Sequence, residues 1–379
     1  MRLSFLTDVY ANPGPYATVY LHERPVGEDA AGQLQLRWRS LAQRLQADGA
    51  DAASLKALEA TVTGQPRRPG MHPGTVTARG RALAAAEGTI LLDRPLSPET
   101  ASGPSPLTDD LARWGPLPHL LPLLWYEQRP APHLLVVADR TGADIHLMTD
   151  GLDHVTVVEG EERPLTKVPA GGWSHRRFRQ RAENTWEHNA TRVAGVVSGL
   201  ATRHRANLVL LAGDVRARAA ICDHLPATVR RTVVESEHGG RAPGAAEAPL
   251  RQELARRAAD SMSARHATVV ERFAQHRREG TRTAEGLARV IDAVRAGNLD
   301  TLLLSQTGAE ERVWVGPGAD QVALTRIELE HLGLEEYAAD RADAALIRGC
   351  VANGAELELL TPDDPVVADG AAALLRYPI

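Results

Sequence analysis

The chain has little cysteine: Cys222 and Cys350 are the only two in 379 residues, and they lie far apart. Such a pair builds neither a disulfide framework nor a cysteine-based zinc site, and it suits a reducing cytoplasm. Apolar runs are short as well. None reaches the roughly 18 residues that read as a membrane span. The opening MRLSFLTDVYANPGPY also lacks the sustained apolar core of a signal peptide. Catalytic signatures are missing too. There is no G-x-x-x-x-G-K-[ST] loop, no G-x-S-x-G elbow and, despite 14 histidines, no H-E-x-x-H helix. Cys222-Asp223-His224 has no further ligands at useful spacing. The chemistry predicts a binder without cofactor, metal or membrane anchor.

What is present is ordinary in bulk, with 43% hydrophobic and 24% charged residues, and the length suffices for two or three domains. The formal net charge of −5 conceals an asymmetry. Residues 1–129 hold 13 basic and 13 acidic side chains, 130–278 hold 22 and 17, and 279–379 hold 8 and 18. A basic middle inside an acidic chain suggests a local polyanion contact, and the acidic end suggests a protein-facing surface or solubility alone. Boundaries are therefore placed at 1–129, 130–278 and 279–379.

Periodicity supplies the elements. YATVYLH at 16–22 reads as a strand, 31–48 and 52–62 as helices, and PRRPGMHPG at 66–74 as a loop. RALAAAEGTILLDRPL at 81–96 reads as a hairpin turning at Glu87-Gly88. Residues 133–160 hold three strand-like runs, the first two turning at Arg140-Thr141-Gly142. A long helix follows from Ser174 to Arg203, with Phe178, Ala182, Trp186, Val193, Val197 and Leu200 on one stripe. NLVLLAGD at 207–214 is a buried strand whose Asp214 caps the next helix. Another strand near 232–240 and an amphipathic helix over 250–278 complete the middle segment. The last hundred residues predict a helix at 283–296, strands at 301–305, 312–316 and 357–361, and a helix at 338–353. Strands and helices alternating in this way describe α/β layers.

One stretch stands apart. Residues 163–181, RPLTKVPAGGWSHRRFRQR, contain Arg163, Lys167, Arg176, Arg177, Arg179 and Arg181 and no acid. Gly171-Gly172 alone is a weak signal, since such pairs usually mark turns. Here a helix start follows at once, with free N–H groups and a dipole that favour phosphate. Arginines add bidentate donors, and Trp173 can stack on an unpaired base. The bland alternative is a solvated helix start with a core tryptophan. RNA contact is the stronger reading, carried by Gly171, Gly172, Trp173, His175, Arg176, Arg177, Arg179, Lys167 and Arg163. A competing site is Asp139 and Asp214, each ending a buried strand, where carboxylates could hold magnesium in a nuclease. No further acid stands in matching context, and capping explains Asp214.

The phrases VVADRTGADIHL, PAGGWSHRRFRQRAEN and LLAGDVRAR, with EGLARVIDAVRAGNLDTLLLSQ, LIRGCVANGAELELLTPD and GAAALLRY further on, carry a resemblance. The chain resembles the archaeal and eukaryotic peptide-chain release factor (Pelota-like) superfamily. More narrowly it is similar to that superfamily's bacterial branch, which includes mycobacterial and Balon-type ribosome hibernation factors. The resemblance covers most of 133–379, and the first 130 residues match in outline only. It implies a three-domain α/β architecture with an RNase H-like middle domain and an α/β sandwich at the C-terminus. Release factors carry Gly-Gly-Gln at this loop, and the glutamine serves peptidyl-tRNA hydrolysis. Here Trp173 stands in that place, and an indole N–H donates a hydrogen bond but does not position a hydrolytic water as an amide does. The first segment also lacks the family's Asn-Ile-Lys-Ser stop-codon reader.

These departures predict a cytoplasmic, non-catalytic factor. It would bind rRNA in the ribosomal A site under stress and idle the ribosome, without DNA or membrane partners. The resemblance implies elongation factor Tu as a delivery partner. A ribosome-rescue peptidyl-tRNA hydrolase, an RNase H-like nuclease and a plain protein scaffold stay open as alternatives.

Overall fold

A computed structural model describes residues 1–22, 30–64, 80–96, 107, 109–128, 130–149, 152–159, 173–241, 247–305 and 309–378. The loop expected at 66–74 lies outside them. The described residues form the mixed α/β architecture that the alternating elements predict, with four sheets. None of their helices is long and apolar enough to cross a membrane. The chain gathers into two compact units: residues 1–128 together with 266–379, and residues 129–265.

In the first segment a short helix α1 (Thr7–Tyr10) precedes strand β1 (Tyr16–His22), helices α2 (Ala30–Ala47) and α3 (Ala52–Thr63), and the hairpin β2 (Gly80–Ala86) and β3 (Thr89–Leu96). Glu87 and Gly88 both take positive φ, 49° and 76°, which is the two-residue turn that suits the twist of a hairpin. Strand β4 (Leu111–Gly115) and helix α4 (Leu121–Tyr126) close the segment, inside a stretch that reads as Pro- and Gly-rich in sequence. The sheet runs β3-β2-β1-β4, antiparallel throughout its pairings. Successive side chains of β1 point to opposite faces. Ala17, Val19 and Leu21 meet Trp38, Leu41 and Leu58 of the two helices, while Tyr16 and Tyr20 enter a second core.

That second core is shared with the last segment. There β10 (Thr283–Glu285), α9 (Leu287–Arg295), β11 (Leu299–Ser305), β12 (Arg312–Val315), β13 (Val322–Ala323), α10 (Arg326–His331), β14 (Ala338–Arg341), α11 (Ala342–Ala352), β15 (Glu356–Leu360) and β16 (Ala371–Leu375) follow a long helix, α8 (Glu247–Glu279). They build the sheets β10-β16-β11-β15 and β13-β12-β14. Leu302, Leu346 and Ala373 pack in one cluster with Tyr20, Leu123 and Trp125. Fully buried Asp340 adds a polar tie: it pairs with Arg113 and accepts the Leu117 N–H at 2.8 Å. A common core and a buried ion pair thus make one compact unit of two segments that read separately in sequence.

Two helices start later than their periodicity predicts. In the stretch 338–353, Ala338–Arg341 is a strand paired with Arg312–Val315, because Asp340 turns its carboxylate to Arg113 rather than continuing a helix. In 283–296, Thr283–Glu285 pairs with β16, and Gly286 at φ 82° separates it from α9.

The middle unit holds β5 (His133–Asp139), β6 (Gly142–Thr149), β7 (Leu152–Glu159), α5 (Trp173–His204), β8 (Leu208–Gly213), α6 (Val215–His224), α7 (Ala227–Arg230) and β9 (Val233–Glu235). Its sheet runs β7-β6-β5-β8-β9, with β5, β8 and β9 parallel and β6 antiparallel to both of its neighbours. This is the RNase H-like layout expected for the segment. Val193, Val197 and Ile221 of α5 and α6 cover one face, against Leu134, Val136 and Leu211. Leu250, Leu254 and Ala258 of α8 cover the other, against Leu135, Val137 and Leu210.

Candidate functional site

The basic stretch meets the fold at the head of α5. Residues 160–172, and so Arg163, Lys167, Gly171 and Gly172, lie outside the described residues. Trp173 opens the 32-residue helix. The side chains of Trp173, His175, Arg176, Arg177 and Arg179 in its first two turns are likewise outside the description, as are Phe178 and Ala182 of the predicted stripe. Among the described side chains of the helix, the fully buried ones run from Asn189 and Ala190 through Val193, Val197 and Ala201. Sixteen residues at ~1.5 Å each carry the backbone about 24 Å from Asn189 back to Trp173. The backbone of Trp173 thus lies about four and a half turns from the residues that pack on the sheet.

The two aspartates converge near the carboxyl ends of the parallel strands β5 and β8. Gly213, at φ 105°, ends β8 so close to β5 that a Cβ would sit 1.9 Å from the Ala138 carbonyl oxygen. Only glycine permits that approach, and Asp214 then donates its N–H to the same carbonyl at 3.0 Å. Its side chain caps α6, accepting from Arg216 N at 2.9 Å and Ala217 N at 3.0 Å, and lies 3.4 Å from the Arg140 guanidinium. Asp139 Oδ1 accepts from Thr141 N and Thr141 Oγ1, both at 2.7 Å, from Gly142 N at 2.9 Å and from Arg241 at 3.1 Å.

Burial pushes both carboxyls up, but the donors win. Thr141 and Arg241 hold Asp139 below the usual carboxylate range, and Ala217 N–H and Arg140 do the same for Asp214. A magnesium ion would have to displace these hydrogen bonds and two guanidinium charges. Among the described residues, no three His, Cys, Asp or Glu side chains gather at metal-binding distances. Asp214 as a helix cap, the reading preferred from sequence, is what the structure contains. The two cysteines are free and buried, and burial pushes the Cys350 thiol up to about 12.

Beside these aspartates lies a cleft that sequence reasoning missed. It opens between α5, α6 and the β5–β6 turn, with a volume of about 180 Å³. Arg140, read in sequence only as a turn residue, lays its guanidinium 4.5 Å from the centre of the Trp186 ring. The Asn189 side-chain amide, almost wholly buried, donates to the Arg140 carbonyl at 3.1 Å and fixes the turn against the helix. Trp186 was legible as one residue of an apolar stripe. Its pairing with Arg140, 46 positions earlier, has no local sequence signal.

A family model of the bacterial archaeo-eukaryotic release factor family 2 matches residues 132–279. The uncharacterized protein Rv2629 of Mycobacterium tuberculosis is 30% identical over 381 aligned positions, covering 100% of this chain and 97% of that protein. Among solved structures, the chain is similar to ribosome-bound archaeal Pelota with ABCE1 (TM-score 0.42, 15% identity, covering 99% of this chain and 94% of that one). It is also similar to Dom34 of S. cerevisiae, a translation termination-like factor interacting with Hbs1 (TM-score 0.36, 12% identity). That match covers 65% of this chain and 63% of Dom34, less than two thirds of either.

Proposed function

Because the chain belongs to the bacterial archaeo-eukaryotic release factor family, we propose that it is a cytoplasmic ribosome-binding factor that occupies the A site under stress without releasing peptide. The carrying observation is the Gly171-Gly172-Trp173 phrase, inside the matched segment and at the head of α5. The phrase resembles the Gly-Gly-Gln of release factors, with Trp173 where the glutamine would stand. In this proposal Trp173 stacks near the peptidyl-transferase centre. His175, Arg176, Arg177 and Arg179, with Lys167 and Arg163 before the tip, meet rRNA phosphates. The protein holds the site rather than catalysing in it, and elongation factor Tu is the delivery partner.

Co-sedimentation of the purified chain with vacant ribosomes, over a series of salt concentrations, tests the proposal. Binding should fall steeply with salt. The triple substitution Arg176→Ala, Arg177→Ala, Arg179→Ala should weaken binding and flatten the salt slope, because fewer counterions are released. Absence of co-sedimentation at low salt refutes the proposal. Adding elongation factor Tu with GTP should raise occupancy; unchanged occupancy removes that partner.

A further inference from the structure

We propose that the cleft under Arg140 takes one unpaired nucleobase of single-stranded RNA, giving the middle unit a second RNA contact on the same helix as the Gly-Gly-Trp phrase. The inference rests on the RNA-facing reading of α5 given above, and it concerns residues that reading does not use.

Four observations carry it. At about 180 Å³ the cleft falls below the roughly 300–1,000 Å³ of pockets for drug-sized ligands, which suits one planar ring system rather than a nucleotide with its sugar and phosphate. Its walls suit such a ring. The Trp186 indole supplies an aromatic surface, and Val193, Ala220 and Ile221 supply apolar ones. Nucleobases stack on indole and guanidinium planes regardless of their identity. Among the described residues the buried Arg140 Nε–H has no acceptor, although its guanidinium is otherwise engaged with Trp186 and Asp214. A buried donor left unmatched is costly, and the ring nitrogens and carbonyls of a base are acceptors. Finally, the exposed Arg216 side chain lines the same cleft, where the phosphate of an inserted nucleotide would lie.

The nearby carboxylates do not oppose this. Asp139 is paired with Arg241, Asp214 with Arg140, and Glu187 with His224 at 2.9 Å. Arg140 answers Asp214 and Arg241 answers Asp139, so Arg216 is the cation that the cleft adds beyond those pairs.

The test uses the full chain and two fluorescently labelled ten-nucleotide RNAs. One carries all its bases; the other is identical in backbone but abasic throughout. Anisotropy should show the base-bearing RNA bound roughly 5- to 150-fold more tightly, the range expected for stacking a single base. Ala220→Leu fills the cleft without touching a charge. It should remove the share of the preference that the cleft supplies, leaving only that of Trp173, and leave abasic binding unchanged, which also shows that the variant is folded. Arg216→Ala should weaken both RNAs alike.

Equal affinity of the natural protein for the two RNAs overturns the inference. So does an Ala220→Leu variant that discriminates as strongly as the natural protein, or a natural protein that binds neither RNA. Ribosome co-sedimentation is read separately. Its failure with discrimination intact removes the proposed function and supports the cleft as a base site in its own right.

Discussion

Asp340→Ala should selectively loosen the unit built from the two ends of the chain. The Asp340 side chain is fully buried and receives three donors: the Arg113 guanidinium, Leu117 N–H at 2.8 Å and Arg341 N–H at 2.7 Å. Removing the carboxylate strands two backbone amides, each costing about 1–3 kcal/mol when buried and unmatched. It also leaves Arg113 without its counter-charge. That side chain is 26% exposed and can recover some water, so the total should stay within the ~3–5 kcal/mol typical of breaking a buried pair. Hydrogen exchange read by mass spectrometry under increasing urea resolves where the loss falls. Strands β1, β4, β11 and β14 should open at lower urea, while β5 and β8 of the middle unit keep their protection. The double variant Arg113→Met, Asp340→Leu should recover part of the loss, because apolar groups replace an ion pair at little cost while the two amides stay unmatched. A shift below about 1 kcal/mol, or an equal loss in the middle unit, would refute the role assigned to Asp340.

His266 lies between Glu358 and Asp364, at 2.8 and 2.9 Å, with the chain's amino terminus 4.0 Å from Glu358. The hydrogen bond to Glu358, opposed by burial and aided by the Asp364 charge, raises its pKa above the ordinary 6.5. The stabilisation is therefore complete below pH 6.5 and is lost as pH rises through the folded value; urea midpoints at pH 6 and pH 9 should show a loss that His266→Gln lacks. Asp214→Ala should cost about 0.5–2 kcal/mol in thermal unfolding through the lost cap of α6, and Asp139→Asn should leave magnesium-dependent RNA cleavage at background, as in the natural protein. Magnesium-dependent cleavage by the natural protein, abolished in Asp139→Asn, would restore the nuclease reading. Trp173→Gln recreates the family's Gly-Gly-Gln; the natural protein should show no peptidyl-tRNA hydrolysis above ribosome background, and turnover by it would establish the rescue enzyme instead.

Legibility in the sequence followed the range of the forces involved. The hairpin at 80–96, the helices α2 and α3, the strands of the middle sheet and the Asp214 cap are specified by residues within a few positions of one another. Alternation, a two-residue turn and a capping carboxylate suffice to reveal them. Two helices begin late where a distant strand partner decides. Helical periodicity predicted one helix from 338, but Asp340 answers to Arg113, 227 positions away, and its strand pairs with β12. Likewise the outer segments differ in composition and charge, which separates them on paper, while the apolar faces they share put them in one unit.

The candidate site divides along the same line. The Gly-Gly-Trp phrase and its arginines stand out in the sequence because charge density and glycine are local signals, and their role is the proposal made above. The cleft under Arg140 was not visible, because it needs a turn residue from the β5–β6 hairpin, a tryptophan from α5 and an arginine from α6. Trp186 was counted as one more apolar residue on a stripe. The stripe's buried positions, from Ala190 through Ala201, show what such residues do when they serve only packing. Trp186 departs from them by keeping its ring half-exposed beneath a guanidinium. Trp186 stays on the core face, one turn before Ala190, and in the proposal above its partly buried ring at the edge of that face serves recognition as well as packing. The opposite outcome is just as readable: if Trp186→Leu leaves RNA binding unchanged and lowers the unfolding temperature, the ring belongs to the stripe after all.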